Sequence, residues 1–217
     1  NVFSKAISLN AKNFYKVILV GGGHSNIQVI KAWAMNAPTN AKLILISSNA
    51  YAPYSGMLPL YLMGKYTFDQ IHFDLRRICS LANVEFIESE VTAIDRFKKL
   101  VKLKNRPNVS FDIISINVGI TPAQTFQFNA DSLGITLFSL KPISKLIKSF
   151  EYFLTIVKTW PDDKVINVSM IGGGAAGVEV ALAIDIRLKK MNKLHQLTLF
   201  QRSEKLIHNH SKKASLL

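Results

Sequence analysis

The chain of 217 residues is long enough for one large domain, or for one domain and part of a second. Its composition, 48% hydrophobic and 19% charged, excludes a disordered protein, and no apolar run is long enough to span a bilayer. The formal charge of +13 invites a nucleic-acid interface, but the lysines are scattered and no motif of basic and aromatic residues accompanies them. We therefore expect no nucleic-acid binding and attribute the charge to small anionic ligands or lipid headgroups.

The single cysteine, Cys79, excludes an internal disulfide, a Cys-x-x-Cys redox pair and a four-cysteine zinc site. His208 and His210 have no third residue of a metal-ligand type nearby, so we expect no metal site. We expect a cytoplasmic protein, and peripheral contact with a membrane stays open.

The first predicted element is a buried strand over residues 15–20, where the sequence YKVILV is apolar and β-branched. Three glycines end this strand, and Ile27, Ile30 and Ala34 predict the apolar face of a helix over residues 26–35. The run AKLILISS at residues 41–48 predicts the next parallel strand. Together these elements have the length of one βαβ unit, about 30 residues.

The middle of the chain predicts a loop, a short helix and a small sheet. Residues 49–66 contain two prolines and two glycines among apolar residues, which favours an ordered loop or short helix against a ligand. Residues 73–82 have a short helical pattern. The alternation over residues 84–105 predicts an antiparallel meander that ends in a turn at residues 106–108.

The last predicted elements repeat the first ones. Residues 111–122 predict a buried strand that stops near Gly119, and residues 141–160 carry apolar residues at helical spacing. A second strand, glycine turn and helix begin at Val165, and residues 196–206 predict the strand that follows. A complete α/β nucleotide domain needs about 100 residues, so we expect this second domain to be incomplete within residues 1–217.

The second glycine turn fits the pattern G-x-G-x-x-G completely, with Gly172, Gly174 and Gly177. In this pattern the first glycine permits a tight turn, the second lets a pyrophosphate approach the backbone, and the third lets helix and strand pack closely. The unpaired amides and the dipole at the start of the helix favour an anion. The turn therefore predicts a dinucleotide site.

The first glycine turn keeps Gly21 and Gly23 but has Asn26 at the third position. The two glycines nearest the phosphate survive, so the change concerns the packing of helix on strand more than phosphate binding. We predict a dinucleotide site here as well, with an ordinary strand-to-helix turn as the alternative.

Neither unit has the acidic residue that binds a ribose hydroxyl at the end of the second strand. Ser47 or Ser48 stands at that place in the first unit, and Gln201 followed by Arg202 in the second. A hydroxyl or an amide still hydrogen-bonds a ribose, and Arg202 suits a 2′-phosphate, with an ordinary surface arginine as the alternative. NADH and NADPH therefore both stay open.

Four motifs, VILVGGGHSN, PYSGMLP, FDIISINVGITP and IGGGAAGVEVA, stand in an order that resembles the flavoproteins with two dinucleotide-binding domains, the pyridine nucleotide-disulfide oxidoreductase superfamily. More narrowly, GGGHS, PYSGMLPLYLMGKY and DLRRIC resemble the type II NADH dehydrogenase-like modules joined to selenide, water dikinase. The resemblance implies an α/β fold: a Rossmann-like FAD-binding domain with a small antiparallel meander over residues 14–140, and the start of a Rossmann-like NAD(P)H-binding domain over residues 141–217.

The resemblance also implies site residues. Those for FAD are Gly21, Gly22, Gly23, His24 and Ser25 at the pyrophosphate, Ser47 at the adenosine ribose, Ser55 of the PYSGMLP motif near the isoalloxazine, and Gly119 where the chain passes the cofactor. Those for NAD(P)H are Gly172, Gly174, Ala175, Gly177, Gln201 and Arg202. Glu179, expected two residues into the helix, matches a family position that faces the nicotinamide, with stabilisation of the helix dipole as the alternative.

The activity that the resemblance implies is hydride transfer from NAD(P)H to FAD, followed by electron transfer to a quinone or another small acceptor. The narrower resemblance implies a selenide, water dikinase fusion partner, and the lack of a Cys-x-x-Cys pair disfavours the disulfide-reductase branch. A non-catalytic dinucleotide-binding module, regulatory or part of a fusion, is the alternative. The family's third FAD motif, a Gly-Asp pair, and its C-terminal domain are expected after residue 217. Residues 1–217 are therefore expected to hold FAD poorly and need not be active by themselves.

Overall fold

The computed structural model describes residues 14–120, 137–202 and 206–207, which form two compact units. The first unit contains residues 14–54 and 72–120, and the second contains residues 55–71 together with the described residues from 137 onward. Parallel strands joined through helices occur in both units, which confirms the predicted α/β, Rossmann-like fold. No helix in these described ranges is long and apolar enough to cross a membrane.

A four-stranded parallel sheet is the centre of the first unit. Its strands lie in the order β5 (Glu85–Glu88), β2 (Ala41–Ser47), β1 (Tyr15–Val20) and β9 (Ile113–Ile116). Helix α1 (His24–Met35) joins β1 to β2, and helix α4 (Leu75–Leu81) precedes β5. The carboxyl ends of β1, β2 and β9 therefore meet at one edge of the sheet, next to the first glycine turn.

Both faces of this sheet are buried, because alternate residues of β1 and β2 enter different clusters. On one face they pack against α1 and α4, in a cluster that includes Val17, Leu19, Leu43, Leu45, Ile27, Ile30, Trp33, Leu75 and Cys79. On the other face they pack against a three-stranded sheet, in a cluster that includes Ile18, Val20, Ile44, Ile46, Val101, Leu103 and Phe111. Burial on both sides explains why the two strands are apolar almost throughout.

Helix α1 begins at His24, two residues earlier than predicted, because Gly23 has extended dihedrals and forms the N-cap. Its buried face contains Asn26, Ile27, Ile30 and Trp33. The prediction for Ala34 was wrong, since Ala34 is exposed and the large ring of Trp33 covers the sheet instead.

The antiparallel meander is formed by β6 (Val91–Asp95), β7 (Leu100–Leu103) and β8 (Arg106–Ser110). Two details differ from the prediction. Strand β5 belongs to the parallel sheet, because Phe86 and Ile87 pack into the clusters on its two opposite faces. Residues 106–108 begin β8 and do not form the turn, which lies at Lys104 and Asn105, where Asn105 has a φ of 55°. Asparagine tolerates this left-handed conformation better than most residues.

The second unit repeats the strand, turn and helix arrangement. Strands β10 (Ile166–Ile171) and β11 (His195–Phe200) pair in parallel through helix α6 (Ala175–Lys190), and helix α5 (Ile143–Thr159) precedes them.

Residues 55–71 also belong to the second unit, although the sequence predicted a first domain that includes them. They form a 3-10 turn (Ser55–Met57) and helices α2 (Leu58–Leu62) and α3 (Phe68–Ile71). These helices join a single cluster with α5 and α6, which includes Leu58, Tyr61, Leu62, Ile71, Leu146, Phe150, Leu154 and Val180. In the first unit, β3 (Tyr51–Pro53) and β4 (His72–Asp74) pair antiparallel where the chain leaves and returns.

Candidate dinucleotide-binding sites

The two glycine turns, residues 21–23 and residues 172–174, have the same backbone arrangement. The Gly21 amide donates to the Ile46 carbonyl of β2 at 2.8 Å, and the Gly172 amide donates to the Phe200 carbonyl of β11 at 2.8 Å. The φ angles of Gly21 and Gly172 are 87° and 111°, so both glycines hold a left-handed conformation that other residues rarely adopt. A helix starts three residues after each of them, capped by a glycine with extended dihedrals. Each turn therefore aims the amides of a helix start past the carboxyl edge of a parallel strand pair.

The third position of the G-x-G-x-x-G pattern has a different residue and different contacts in the two turns. Gly177 lies so close to the carbonyl oxygen of Gly172 that a Cβ atom would overlap this oxygen. At the matching place, Asn26 is completely buried, and its Nδ2 donates to the Gly21 carbonyl at 2.8 Å and to the Val20 carbonyl at 3.1 Å. The carbonyl of the first glycine therefore has a different neighbour in each turn. In the second turn Gly177 packs against the Gly172 carbonyl, and in the first turn Asn26 donates a hydrogen bond to the Gly21 carbonyl.

Asn117, which follows β9, holds the other side of the first turn. Its carbonyl accepts from the Gly23 amide at 3.2 Å, its Oδ1 accepts from the Ser25 amide at 3.2 Å, and its own amide donates to Val20 at 2.8 Å. Two of the amides expected at a pyrophosphate are thus bonded within the protein. The amides of Gly22 and His24 have no protein acceptor within the described ranges, so they are the donors that this turn presents to an anion.

The second turn leaves more amides available. Those of Gly174, Ala175 and Ala176 have no acceptor among the residues that the structure describes. A Cβ atom on Gly174 would meet nothing within 4 Å, so the space in front of this glycine is open. The side chain of Gln201 lies against Gly173 at the end of β11, and Arg202 is exposed. The turn can therefore receive an anion, with an amide and a guanidinium at the adjoining strand end.

The remaining residues expected at FAD lie in both units. Ser47 is the last residue of β2, beside the first turn, and its Oγ accepts from the Asn49 amide at 3.4 Å. Gly119 is exposed, has a φ of 77°, and has no atom within 4 Å of the place of a Cβ. Ser55 begins the 3-10 turn and belongs to the second unit.

Glu179 occupies a different place in its helix from the one expected. Because Gly174 is the N-cap and α6 starts at Ala175, Glu179 is the fifth residue of the helix and not the second. It is exposed, and its side chain has no hydrogen bond to the described part of the chain. The helix-dipole alternative is weaker at this distance, since that effect falls off within the first turn.

An aromatic row lies beside the first turn. The ring of His24 is 5.1 Å from that of Tyr54, which is 6.0 Å from the ring of Phe73. His24 also approaches Gln28, with 3.5 Å between the two Nε2 atoms. The row gives the helix start an apolar wall of a kind that suits planar ligands.

Sequence reasoning did not identify the roles of Ser115 and Asn117. Both are polar residues at or just after the carboxyl end of β9, whose residues are only partly buried, and parallel neighbours bring such ends to one edge. Their position at a strand end was the only sequence signal for these roles. It indicates proximity to the first turn only when β9 is known to pair with β1.

A cleft of about 700 Å³ lies within the second unit, away from the residues of the second turn. There the hydroxyl of Tyr61 donates to Oε1 of Glu151 at 2.6 Å, with Arg187 on the same wall. Burial and then the bond to Glu151 raise the pKa of Tyr61 above its ordinary value. None of the residues predicted for FAD or NAD(P)H lines this cleft.

The cysteine and the histidines supply no second chemistry in the described ranges. Cys79 is 1% exposed within the helix-side cluster of the first unit, and burial raises the pKa of its thiol to about 11. Within the described residues, no group of three His, Cys, Asp or Glu side chains could hold a metal ion. His208 and His210 lie outside these residues.

A repeated strand, glycine turn, helix and strand, with free amides at each helix start, define an α/β protein with two turns of the kind found at dinucleotide sites. Comparison with known proteins agrees: the sequence profile of the family "Pyridine nucleotide-disulphide oxidoreductase" matches residues 15–216. The chain belongs to this family. Members of the family are NAD(P)H-dependent flavoprotein oxidoreductases that use FAD.

Individual relatives are distant. A type II NADH:quinone oxidoreductase of Staphylococcus haemolyticus is 24% identical over 173 residues, which are 78% of this chain and 42% of the relative. NDH2 from Plasmodium falciparum in complex with NADH has a TM-score of 0.72 at 19% identity, covering 93% of this chain and 44% of that one. The sulfide:quinone oxidoreductase of Aquifex aeolicus has a TM-score of 0.67 at 21% identity, covering 89% and 44%. The chain thus spans less than half the length of these proteins, and the two structures support the fold.

Proposed function

We propose that the protein containing this chain is an FAD-dependent NAD(P)H oxidoreductase. In this proposal residues 14–140 belong to the FAD-binding domain, and residues 141–217 begin the NAD(P)H-binding domain. The observation that carries the proposal is the pair of glycine turns with one backbone geometry, each aiming helix-start amides past the edge of parallel strands. A pair of such turns suits one bound and one exchangeable dinucleotide.

FAD would be held at the first turn. The amides of Gly22 and His24 would donate to its pyrophosphate, at the positive end of the α1 dipole. Gly21 and Gly23 shape the turn, the Ser25 amide supports it through Asn117, and Ser47 lies where an adenosine ribose would reach the end of β2. The family resemblance adds the residues nearer the isoalloxazine, Ser55 and Gly119.

NAD(P)H would be held at the second turn. Its pyrophosphate would receive the amides of Gly174 and Ala175, while Gly172 and Gly177 permit the tight turn and the close packing behind it. Gln201 and Arg202 would bind the ribose end, where Arg202 also suits a 2′-phosphate. Glu179, exposed on the second turn of α6, is proposed to face the nicotinamide.

When bound, FAD accepts a hydride from NAD(P)H and passes its electrons to an acceptor, so the protein supplies binding and orientation. The relatives named above are NADH:quinone and sulfide:quinone oxidoreductases, and we propose a quinone or another small molecule as the acceptor. No thiol of this chain takes part, because Cys79 is buried in a core cluster.

The proposal predicts that the full-length protein binds flavin and that the flavin absorption bleaches anaerobically on adding NADH or NADPH. Gly174→Ala should raise the apparent Kd for NAD(P)H about 10-fold or more while the flavin stays bound, because the new methyl group fills the open space before the amides. Leu182→Ala, exposed on the same helix, is the matched control and should bind like wild type.

Other outcomes would favour other functions. Bound flavin that is not bleached by either nucleotide would favour the non-catalytic dinucleotide-binding module. A colourless protein would contradict the proposal, and copurifying nucleic acid would then favour the nucleic-acid alternative that the charge of +13 raises.

The proposal extends to location and partners. We place the protein in the cytoplasm, with peripheral contact between its basic surface and a membrane, and with a selenide, water dikinase module as a fusion partner. The charge of +13 and the quinone acceptors of the relatives support peripheral membrane contact. The GGGHS, PYSGMLPLYLMGKY and DLRRIC motifs support the fusion partner. Sedimentation with anionic but not neutral lipid vesicles would support membrane contact. The complete coding sequence would test the fusion.

A further inference from the structure

We propose that Asn26, Ser115 and Asn117 form a polar clamp that positions the first glycine turn for the pyrophosphate of FAD. The proposal rests on the proposed function, since it assumes that FAD binds at this turn. It assigns a role to the residue that breaks the G-x-G-x-x-G pattern: Asn26 is required at its place, and a glycine there would bind FAD less well.

Asn26 pairs both side-chain N–H groups and its side-chain oxygen within the protein. The two hydrogens of Nδ2 go to the carbonyls of Gly21 and Val20, at 2.8 and 3.1 Å, and Oδ1 accepts from the hydroxyl of Ser115 at 2.8 Å. The side chain is 0% exposed. A buried amide with both its nitrogen and its oxygen hydrogen-bonded fixes the groups around it, and removing it leaves those groups unpaired.

Asn117 completes the clamp from the strand end that follows Ser115. Its backbone carbonyl and its Oδ1 accept from the amides of Gly23 and Ser25. Gly23 is in contact with this side chain, because a Cβ there would overlap Asn117. The second glycine of the first turn therefore faces a protein group, whereas Gly174 of the second turn faces open space.

The clamp decides which amides remain for a ligand. It engages the amides of Gly23 and Ser25, which alternate with those of Gly22 and His24, and these two have no acceptor in the described part of the chain. It also joins the start of α1 to the end of β9, so the free amides are held by a strand of the central sheet. A preorganised donor binds an anion more tightly because less ordering is needed on binding.

Glycine at position 26 would not restore the arrangement of the second turn. The Gly21 carbonyl would lose its donor, the Ser115 hydroxyl would lose its acceptor, and a void would replace a buried side chain. We expect Asn26→Gly to weaken FAD binding by about 5- to 30-fold, and Ser115→Ala by about 3- to 10-fold, the cost of unpaired buried groups.

Asn117→Asp tests whether Asn117 lies beside the bound pyrophosphate while keeping its hydrogen bond to Ser25. The carboxylate still accepts from the Ser25 amide, so the melting temperature of the flavin-free protein should stay close to that of wild type. Its negative charge beside the turn should repel a pyrophosphate and weaken FAD binding by about 10-fold or more. An unchanged affinity in this variant would show that Asn117 does not lie beside the bound pyrophosphate.

The test uses the full-length protein freed of flavin and reconstituted with FAD, well below its melting temperature. The readouts are the FAD dissociation constant from flavin fluorescence, the phosphorus NMR shifts of bound FAD, and the melting temperature without flavin. Thr92→Ala and Asn108→Ala, both at exposed positions in the meander sheet, are the matched controls.

The proposal requires weaker FAD binding and shifted phosphorus signals in Asn26→Gly, Ser115→Ala and Asn117→Asp, with both controls unchanged. Should Asn26→Gly fail to fold, the other two variants decide. Wild-type affinity in Ser115→Ala and Asn117→Asp, or tighter binding in Asn26→Gly, would overturn the clamp while leaving the proposed function intact. A wild-type protein that binds no FAD would instead overturn the proposed function, and the clamp with it.

Discussion

Nε2 of His195 lies 2.9 Å from Oδ1 of Asp185, and the opposite ring nitrogen lies 2.9 Å from the carbonyl oxygen of Lys193. The ring of His195 thus lies between a side-chain oxygen and a backbone oxygen. Lys189 adds a cation to Asp185 at 2.8 Å. The arrangement connects the last turns of α6 to the first residue of β11.

The pKa of Asp185 is lowered, first by the bond from Lys189 and then by the bond from His195. A carboxyl group whose pKa falls on folding stabilises the protein above its ordinary pKa of about 3.9, and this contribution is lost as the pH drops through the lower folded value. We expect Asp185→Asn to lower the free energy of unfolding by about 1 kcal/mol at pH 7, allowing for its partial exposure. The difference from wild type should shrink below about pH 4.

Thermal melting of both proteins between pH 3 and pH 8 measures this difference. Asp163→Asn, at an exposed position, is the control and should melt like wild type throughout. A difference for Asp185→Asn that grows as the pH falls would contradict the assignment.

Gly174 faces open space and Gly177 faces a carbonyl oxygen, so substitution by alanine should affect stability differently at the two positions. Gly177→Ala forces a methyl group into the Gly172 carbonyl and should cost about 1 to 3 kcal/mol of stability. Gly174→Ala places its methyl group in open space at a φ of −74°, so stability should stay within about 0.5 kcal/mol of wild type or rise slightly. Urea unfolding measures both, and equal losses would show that the close approach at Gly177 is not the cause.

Lys193 is a buried cation that fastens the loop before β11. Its side chain is 8% exposed, and Nζ donates to the Trp160 carbonyl at 2.7 Å and to Asp162 at 2.5 Å. Lys193→Met keeps most of the buried stem but leaves the carbonyl unpaired, which should lower the free energy of unfolding by about 1 to 3 kcal/mol. Lys158→Met, exposed in the last turn of α5, controls for loss of charge. Equal melting temperatures for the two variants would show that the buried bonds contribute nothing.

Cys79 should be chemically inert in the folded protein. A thiol with a pKa of about 11 and 1% exposure has little thiolate at pH 8 and little access to reagents. We expect an aromatic disulfide reagent to modify less than about a tenth of the protein in the time that it modifies all of it in urea. Rapid stoichiometric labelling of the folded protein would contradict the position of Cys79 in the core.

The elements that could be predicted from the sequence are those whose signal is local. The apolar runs of β1 and β2 and the glycines that follow β1 and β10 indicated strands and turns, because burial on both faces and a left-handed φ each demand particular residue types. Glu179 was displaced by three positions in its helix, since the helix start depends on the dihedrals of Gly174.

The role of Asn26 could not be predicted in the same way. Its partner Ser115 is 89 residues away, and the bond exists only because β9 pairs with β1. In the same way, Tyr61 is 90 residues from Glu151, so nothing local to α2 indicates that this helix packs with α5. Interactions at such separation depend on topology, which the spacing of residue types does not encode.

The passage of residues 55–71 into the second unit affects the order in which the protein can fold during synthesis. Leu62 and Ile71 leave the ribosome long before Leu146, Leu154 and Val180, which complete their cluster. The bond between Lys190 and Met63 spans 127 residues. Contacts of this separation are slow to form, so the apolar residues of α2, and Ile71 of α3, lack these partners until α6 has been made. We therefore expect the apolar side chains of α2 to be accessible in a nascent chain during that interval.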